Sequence, residues 1–155
     1  MTKFNIDTII QNIDQAAGMY HRLVLLVGTS GKTEALQEIR KLRSLPLINV
    51  NLELSRNMLE FTERQRALQL PRLISNLIES TASDIILLDN IEILFDVALK
   101  QDPLRLIQGL SRNKTIVATW GGAVSGETLT YAAPGHPEYR QYKIKEFIVV
   151  SQEGK

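Results

Sequence analysis

The chain has 155 residues, with 18 Lys and Arg against 17 Asp and Glu, 44% hydrophobic residues and no cysteine. That length suits one domain, burying about 70% of the surface its unfolded chain exposes, and a net charge of +1 excludes both a highly charged disordered tail and a polycationic nucleic-acid coat. Disulfides, thiolate zinc sites and a thiol nucleophile are ruled out; the start, MTKFNIDTII, lacks the apolar core of a signal peptide, and no apolar run approaches the ~20 residues of a membrane span. The chain reads as a soluble cytoplasmic domain with no membrane partner.

Apolar residues at Ile6, Ile9, Ile10, Ile13, Ala16, Ala17 and Tyr20 keep helical spacing and predict an N-terminal amphipathic helix over about residues 5–20. Leu23-Val24-Leu25-Leu26-Val27 has no polar alternation, as in a parallel strand buried on both faces. Gly28-Thr29-Ser30-Gly31 breaks that run, and Ala35, Leu36, Ile39 and Leu42 restart a helical period. Pro46 introduces a second strand, Leu47 to Leu52, after which Ser55 reads as the N-cap of a short helix to about Phe61. Pro71 reads as the first residue of another helix, carrying Leu73, Ile74, Leu77 and Ile78.

A third strand, from Ile85 to Leu88, ends at Asp89, and helical spacing follows at Ile91, Leu94, Phe95, Ala98 and Leu99. Asp102-Pro103 is a cap with a first-turn proline for a helix reaching Leu110. Thr115 to Trp120 is a fourth strand and Phe147 to Val150 a fifth; the Gly- and Pro-rich stretch between them holds an extra strand at Leu129-Thr130-Tyr131. Strands alternating with helices predict an α/β three-layer sandwich around a mostly parallel five-stranded sheet. Residues 1–155 form a single domain in this reading, with no lid after the fifth strand. Ligands of such sheets sit beyond the carboxyl ends of the strands.

Gly28-Thr29-Ser30-Gly31-Lys32-Thr33 follows a buried strand and opens a helix, the context of a phosphate-binding loop. Glycine lets the backbone approach an anion, and the free amides and dipole of the helix start attract it. Lys32 would reach the terminal phosphates of ATP and the Thr33 hydroxyl would ligate Mg2+. Asp89, taken to end an adjacent strand, would hold the ion's hydration shell. Only two residues separate Gly28 from Gly31, where the usual motif has four, so the loop is shortened by two and fewer amides remain to wrap a phosphate.

Catalytic candidates each carry a plainer reading. Asn90 stands where many such enzymes place a Glu; an amide orients water but does not accept its proton. Glu92 is either the substitute base or a charge complementing a helix start. Thr119, late in the fourth strand, is either a γ-phosphate sensor or a residue chosen for β-propensity. Arg112 is an arginine finger toward a neighbouring subunit or an exposed helix-end arginine. Arg64, Arg66 and Arg72 are a contact for DNA phosphates or a solvated face. His21 and His136 lie too far apart in sequence for a zinc-protease motif, and His136-Pro137-Glu138-Tyr139 with Tyr131 and Tyr142 reads as a loop pinned by tyrosines.

Several longer strings carry a resemblance. They are Leu47-Ile48-Asn49-Val50-Asn51-Leu52, Leu87-Leu88-Asp89-Asn90-Ile91-Glu92, Asp102-Pro103-Leu104 with Ser111-Arg112-Asn113, and Leu129-Thr130-Tyr131-Ala132 before Pro134-Gly135-His136-Pro137-Glu138-Tyr139. Through them the chain resembles the small P-loop proteins of BREX phage-defence systems, the BrxF type of type 3 clusters. The resemblance implies a P-loop fold and a defence role beside a methyltransferase, a large ATPase and an alkaline-phosphatase-like partner. It places Gly31, Lys32 and Thr33 on the nucleotide-binding motif and Asp89 on the Mg2+-side carboxylate. Two functions are compatible with the sequence: an ATP–Mg2+ component whose hydrolysis is weak or needs assembly with itself or other BREX proteins, and a catalytically inactive adaptor or DNA-binding accessory.

Overall fold

The computed structural model describes residues 4–151. Its centre is β1 (Leu23–Val27), buried along its whole length. Beside it lie β2 (Leu47–Asn49), β3 (Ile85–Asp89), β4 (Thr115–Trp120) and β8 (Ile148–Ser151), in the order β2-β3-β4-β1-β8. Every pairing in this sheet is parallel, so all carboxyl ends share one edge. Alternation along the strands splits the core in two. Val24, Leu26, Leu87, Val117 and Val150 pack under α1 (Ile6–Ala16) and α2 (Lys32–Arg43). Leu23, Leu25, Ile86, Leu88, Ile116, Ala118 and Trp120 meet the opposite layer, built from α3 (Val50–Asn57), α4 (Glu63–Glu79) and α5 (Pro103–Leu110). The expected α/β three-layer sandwich is therefore present.

The helix boundaries differ from expectation in three places. First, α1 stops at Ala16, two residues before Gly18, a poor helix former, and Tyr20 is left 63% exposed. Second, β2 is only three residues long; the Asn49 side chain accepts from Leu52 N at 3.0 Å, so α3 starts at Val50 with Asn49, not Ser55, as its cap. Third, α4 begins eight residues before Pro71. Thr62 and Gln65 form a reciprocal capping box that starts it, and Pro71 lies inside the helix.

An internal proline removes the N–H that would bond the carbonyl four residues back, here that of Ala67. Gln101 supplies the missing donor: its Nε2 donates to Ala67 O at 2.9 Å and to Leu99 O at 2.8 Å. Gln101 lies just past two short 3₁₀ turns, Glu92–Phe95 and Val97–Leu99, which replace the regular helix the spacing predicts there.

The Gly- and Pro-rich stretch builds more than one extra strand. β5 (Ala123–Ser125), β6 (Thr128–Tyr131) and β7 (Arg140–Lys143) form a separate antiparallel sheet. It is fastened to the end of β4 by aromatic rings. Phe95 and Tyr131 stack at 3.6 Å, and Trp120 meets Phe95, Tyr131 and Tyr142 edge-on at 5.2–6.0 Å. Trp120 Nε1 also donates to Thr130 O at 2.9 Å. A Cβ on Gly122 would collide with that same Thr130 carbonyl, so the chain needs glycine there to fold back. In the following loop His136 Nδ1 accepts from Glu138 N at 3.0 Å and Tyr139 donates to the Gln141 side chain.

Gln101→Ala is expected to destabilise the fold by about 1 kcal/mol, the value of one intramolecular hydrogen bond. In a Pro71→Ala background, where an amide can rebind Ala67 O, the same change should cost clearly less; urea denaturation of the four proteins measures the coupling.

Candidate functional site

The glycine turn sits where β1 ends. Gly31 takes a left-handed conformation (φ 82°) that glycine adopts without penalty, and it turns the chain directly into α2. Among the five α-helices described, α2 alone has no side-chain cap; Asn5, Asn49, Thr62 and Asp102 cap the others. The first amides of α2 face the turn, and the helix dipole adds a fractional positive charge there. Lys32 Nζ bends back to the Gly28 carbonyl at 2.6 Å, which holds the ammonium across the turn. Thr29, Ser30 and Thr33 are exposed around it.

The motif pattern predicts the Asp89 strand beside β1, but β4 lies between them. Local patterns carry no sheet order, and the intervening strand is the one that ends in Thr119. Leu26 pairs with Thr119 and Leu88 with Ala118, so Thr119 stands between the turn and Asp89. Its hydroxyl donates to Asp89 Oδ1 at 2.9 Å, and Asn90 N donates to the same oxygen at 2.9 Å. Asp89 is 5% exposed and Thr119 2%. By the alternation of their strands, Asp89 follows Leu87 and Thr119 follows Val117, both of which pack with α2. Carboxylate, hydroxyl and α2 therefore share one face of the sheet at its carboxyl edge.

Asn90 adopts a left-handed conformation (φ 55°) and its carbonyl accepts from Asn51 N at 2.9 Å, which ties the start of α3 to the end of β3. Glu92 opens the first 3₁₀ turn. Its Oε2 lies 3.7 Å from where a Cβ would stand on Gly121, with the Tyr131 ring on the same spot at 3.5 Å. Tyr131, which no local pattern linked to this edge, has its phenol pushed up to about 12 by burial first, then by the charges of Glu92 and Glu138. Tyr142 is raised too, by burial and by Asp102, whose carboxylate accepts its hydroxyl at 3.0 Å.

Other sequence candidates fall elsewhere. Arg112 precedes β4 and its carbonyl accepts from Arg22, just before β1; it is at the amino edge, opposite Lys32, with its guanidinium 4.7 Å over the Tyr20 ring. Arg66 turns its guanidinium onto the carbonyls of Met58, Leu59 and Phe61 at 3.0–3.4 Å, holding the turn between α3 and α4. Arg64 and Arg72 remain exposed on α4. Among the described residues no helix is long and apolar enough to cross a membrane, and no group of three or more His, Cys, Asp or Glu forms a metal cage.

The fold and this edge define a P-loop-like α/β domain, by its own strand, turn and helix. No protein-family model matches the chain, and no curated protein does. Among solved structures it is similar to AMPPCP-bound DnaA from Aquifex aeolicus, at 15% identity and a TM-score of 0.42 over 74% of this chain. The match spans 36% of that protein's length, and a likeness this distant carries nothing about activity.

Thr119→Val should cost about 2 kcal/mol of stability, the range for a hydrogen bond to a charged group, while Thr119→Ser retains most of it; urea midpoints give both. Tyr131 holds its proton in the folded state above the ordinary tyrosine value of 10.0. The stability this represents is complete below pH 10 and is lost as pH rises through about 12. Tyr131→Phe, which keeps the ring stack, should therefore show a shallower fall of its urea midpoint between pH 10 and pH 12 than the unmodified chain.

Proposed function

We propose that this chain is a nucleotide-binding component of a bacterial BREX phage-defence complex in the cytoplasm, binding ATP with Mg2+ and hydrolysing it weakly or only when assembled. The carrying observation is the start of α2 at the left-handed Gly31, with Lys32 held across the glycine turn, on the sheet face that also presents the Asp89–Thr119 pair. Amides, dipole and ammonium together recognise phosphate oxygens.

Mg2+ suits the donors present. Asp89 and Thr33 offer only hard oxygen ligands, and Mg2+ is commonly bound by one or two protein oxygens, with water and substrate phosphates completing its shell. These two residues would hold it, and when bound it neutralises charge on the phosphates. Thr119 fixes the Asp89 carboxylate through Oδ1. Asn90, where a Glu would accept a proton, leaves water activation to Glu92 or to another chain. Arg112 lies at the opposite edge, exposed, where it would serve a neighbour's phosphate and not its own. That supports completion of the site by a homo-oligomer or by other BREX proteins. The BREX assignment itself rests on the strings quoted above.

A second reading is favoured by the short turn and by Asn90: an adaptor that keeps the fold without catalysis, contacting DNA through Arg64 and Arg72, with Arg66 already engaged. Isothermal titration with ATP–Mg2+ separates the two. The unmodified chain should release heat on binding and Lys32→Ala should bind at least tenfold more weakly; equal, negligible heats in both remove nucleotide from the account. In an intact defence cluster, Lys32→Ala and Asp89→Ala should lose protection in a phage-plating assay, and full protection by both would leave the adaptor reading.

A further inference from the structure

A second concave region lies away from the phosphate turn, along α5 and the segment joining β7 to β8. It is an open groove offering about 430 Å³ of space. Arg105 of α5, Lys143 at the end of β7, Lys145 in the segment after it and His21 just before β1 all line it. The apolar side chains of Leu104 and Phe147, both nearly buried, also line it.

Its charges are not balanced. The two acids in the lining are Asp102 and Glu146. Asp102 is already occupied: it accepts from Tyr142 Oη at 3.0 Å and from Arg105 N at 3.4 Å, and pairs with Arg105 Nε at 3.6 Å. Glu146 faces His21 Nε2 at 3.8 Å. Neither Lys143 nor Lys145 forms an ion pair with a described residue. His21 Nδ1 donates to Gln108 O at 3.0 Å, because a carbonyl only accepts, which leaves Nε2 to Glu146. Glu146 is held at φ 67°, a conformation unusual for a residue with a Cβ, within the segment that carries Lys145.

We propose that this cleft is a phosphate-recognition site, in which Lys143 and Lys145 with Arg105 bind the phosphate groups of a ligand. Two lysines without ion-pair partners and an arginine lining one concave, polar-walled space suit tetrahedral oxyanions: Arg offers a planar fork of donors and lysine a mobile point charge. The shared chemistry has two sources, the terminal phosphates of a small molecule and the backbone of single-stranded nucleic acid.

The test uses the full chain carrying Lys32→Ala, which removes the ammonium at the turn before α2 from every arm of the comparison. Binding is read by anisotropy of a labelled single-stranded oligothymidylate and by calorimetry with inorganic pyrophosphate. Lys143→Glu/Lys145→Glu should weaken binding at least tenfold, and Lys143→Ala/Lys145→Ala should lower the slope of log K against log salt by about 1.4 for the oligonucleotide, two phosphate contacts on a single strand. Circular dichroism should show both pairs folded, since both side chains are exposed; if the Glu pair does not fold, the Ala pair decides. Pyrophosphate binding lost with the lysines assigns a small phosphorylated ligand. Oligonucleotide binding alone, lost in the same way, assigns nucleic acid. No binding of either probe overturns the proposal, as does binding that survives the lysine changes or is abolished by Arg64→Glu/Arg72→Glu instead.

Discussion

Every functional group on this molecule takes its place from β1. Its five residues are all buried, and it is bonded in parallel to β4 on one side and β8 on the other. A strand covered on both faces and both edges has one register that keeps its apolar side chains in the core, since a one-residue slip would exchange the two faces. That register sets Leu26 beside Thr119 and Val27 beside Trp120, and the turn leaves the sheet at the same level. With β4 inserted before β3, the distance from the turn to Asp89 is two strands wide, and the Thr119 hydroxyl occupies the middle of it.

Thr119 and Trp120 are neighbours in sequence that face opposite layers. Thr119 looks toward α2 and holds the carboxylate; Trp120 looks toward the aromatic group that fastens the antiparallel sheet. Edge-on aromatic pairs contribute about 0.5–1.5 kcal/mol each beyond their buried area. The small sheet is therefore fastened to Trp120, the last residue of β4, and, through Tyr142 and Asp102, to the cap of α5. The polar edge and the hairpin sheet are two sides of a single strand end.

What the sequence made legible followed from burial on both faces. Leu23 to Val27, Ile85 to Leu88 before Asp89, and Thr115 to Trp120 carry apolar, aromatic or β-branched character, and the strands lie where these runs place them. Asp102-Pro103 states a helix start unambiguously, and α5 begins there. Misreadings arose where two local signals competed. Val50, Leu52 and Leu54 continue an alternating pattern past β2, yet Asn49 caps a helix at that point. Pro71 reads as a beginning because prolines are rare inside helices; the Thr62–Gln65 box was the stronger signal, and the amide that makes Pro71 tolerable comes from Gln101, thirty residues on. At the site, the turn, Lys32, Asp89 and Thr119 were visible as residues, but the hydrogen bond joining the last two depends on strand order. Arg66 looked like a surface cation because its three carbonyl partners come from backbone, which leaves no trace in a sequence.

The chain contains a single tryptophan, and it is Trp120, fully buried, hydrogen-bonded to Thr130 and one peptide away from the hydroxyl that steadies Asp89. Its indole emission is consequently uncontaminated by any other fluorophore of its kind. Water reaching that ring would redden the spectrum, so the protein carries an intrinsic optical gauge of whether its hairpin sheet is seated against the end of β4.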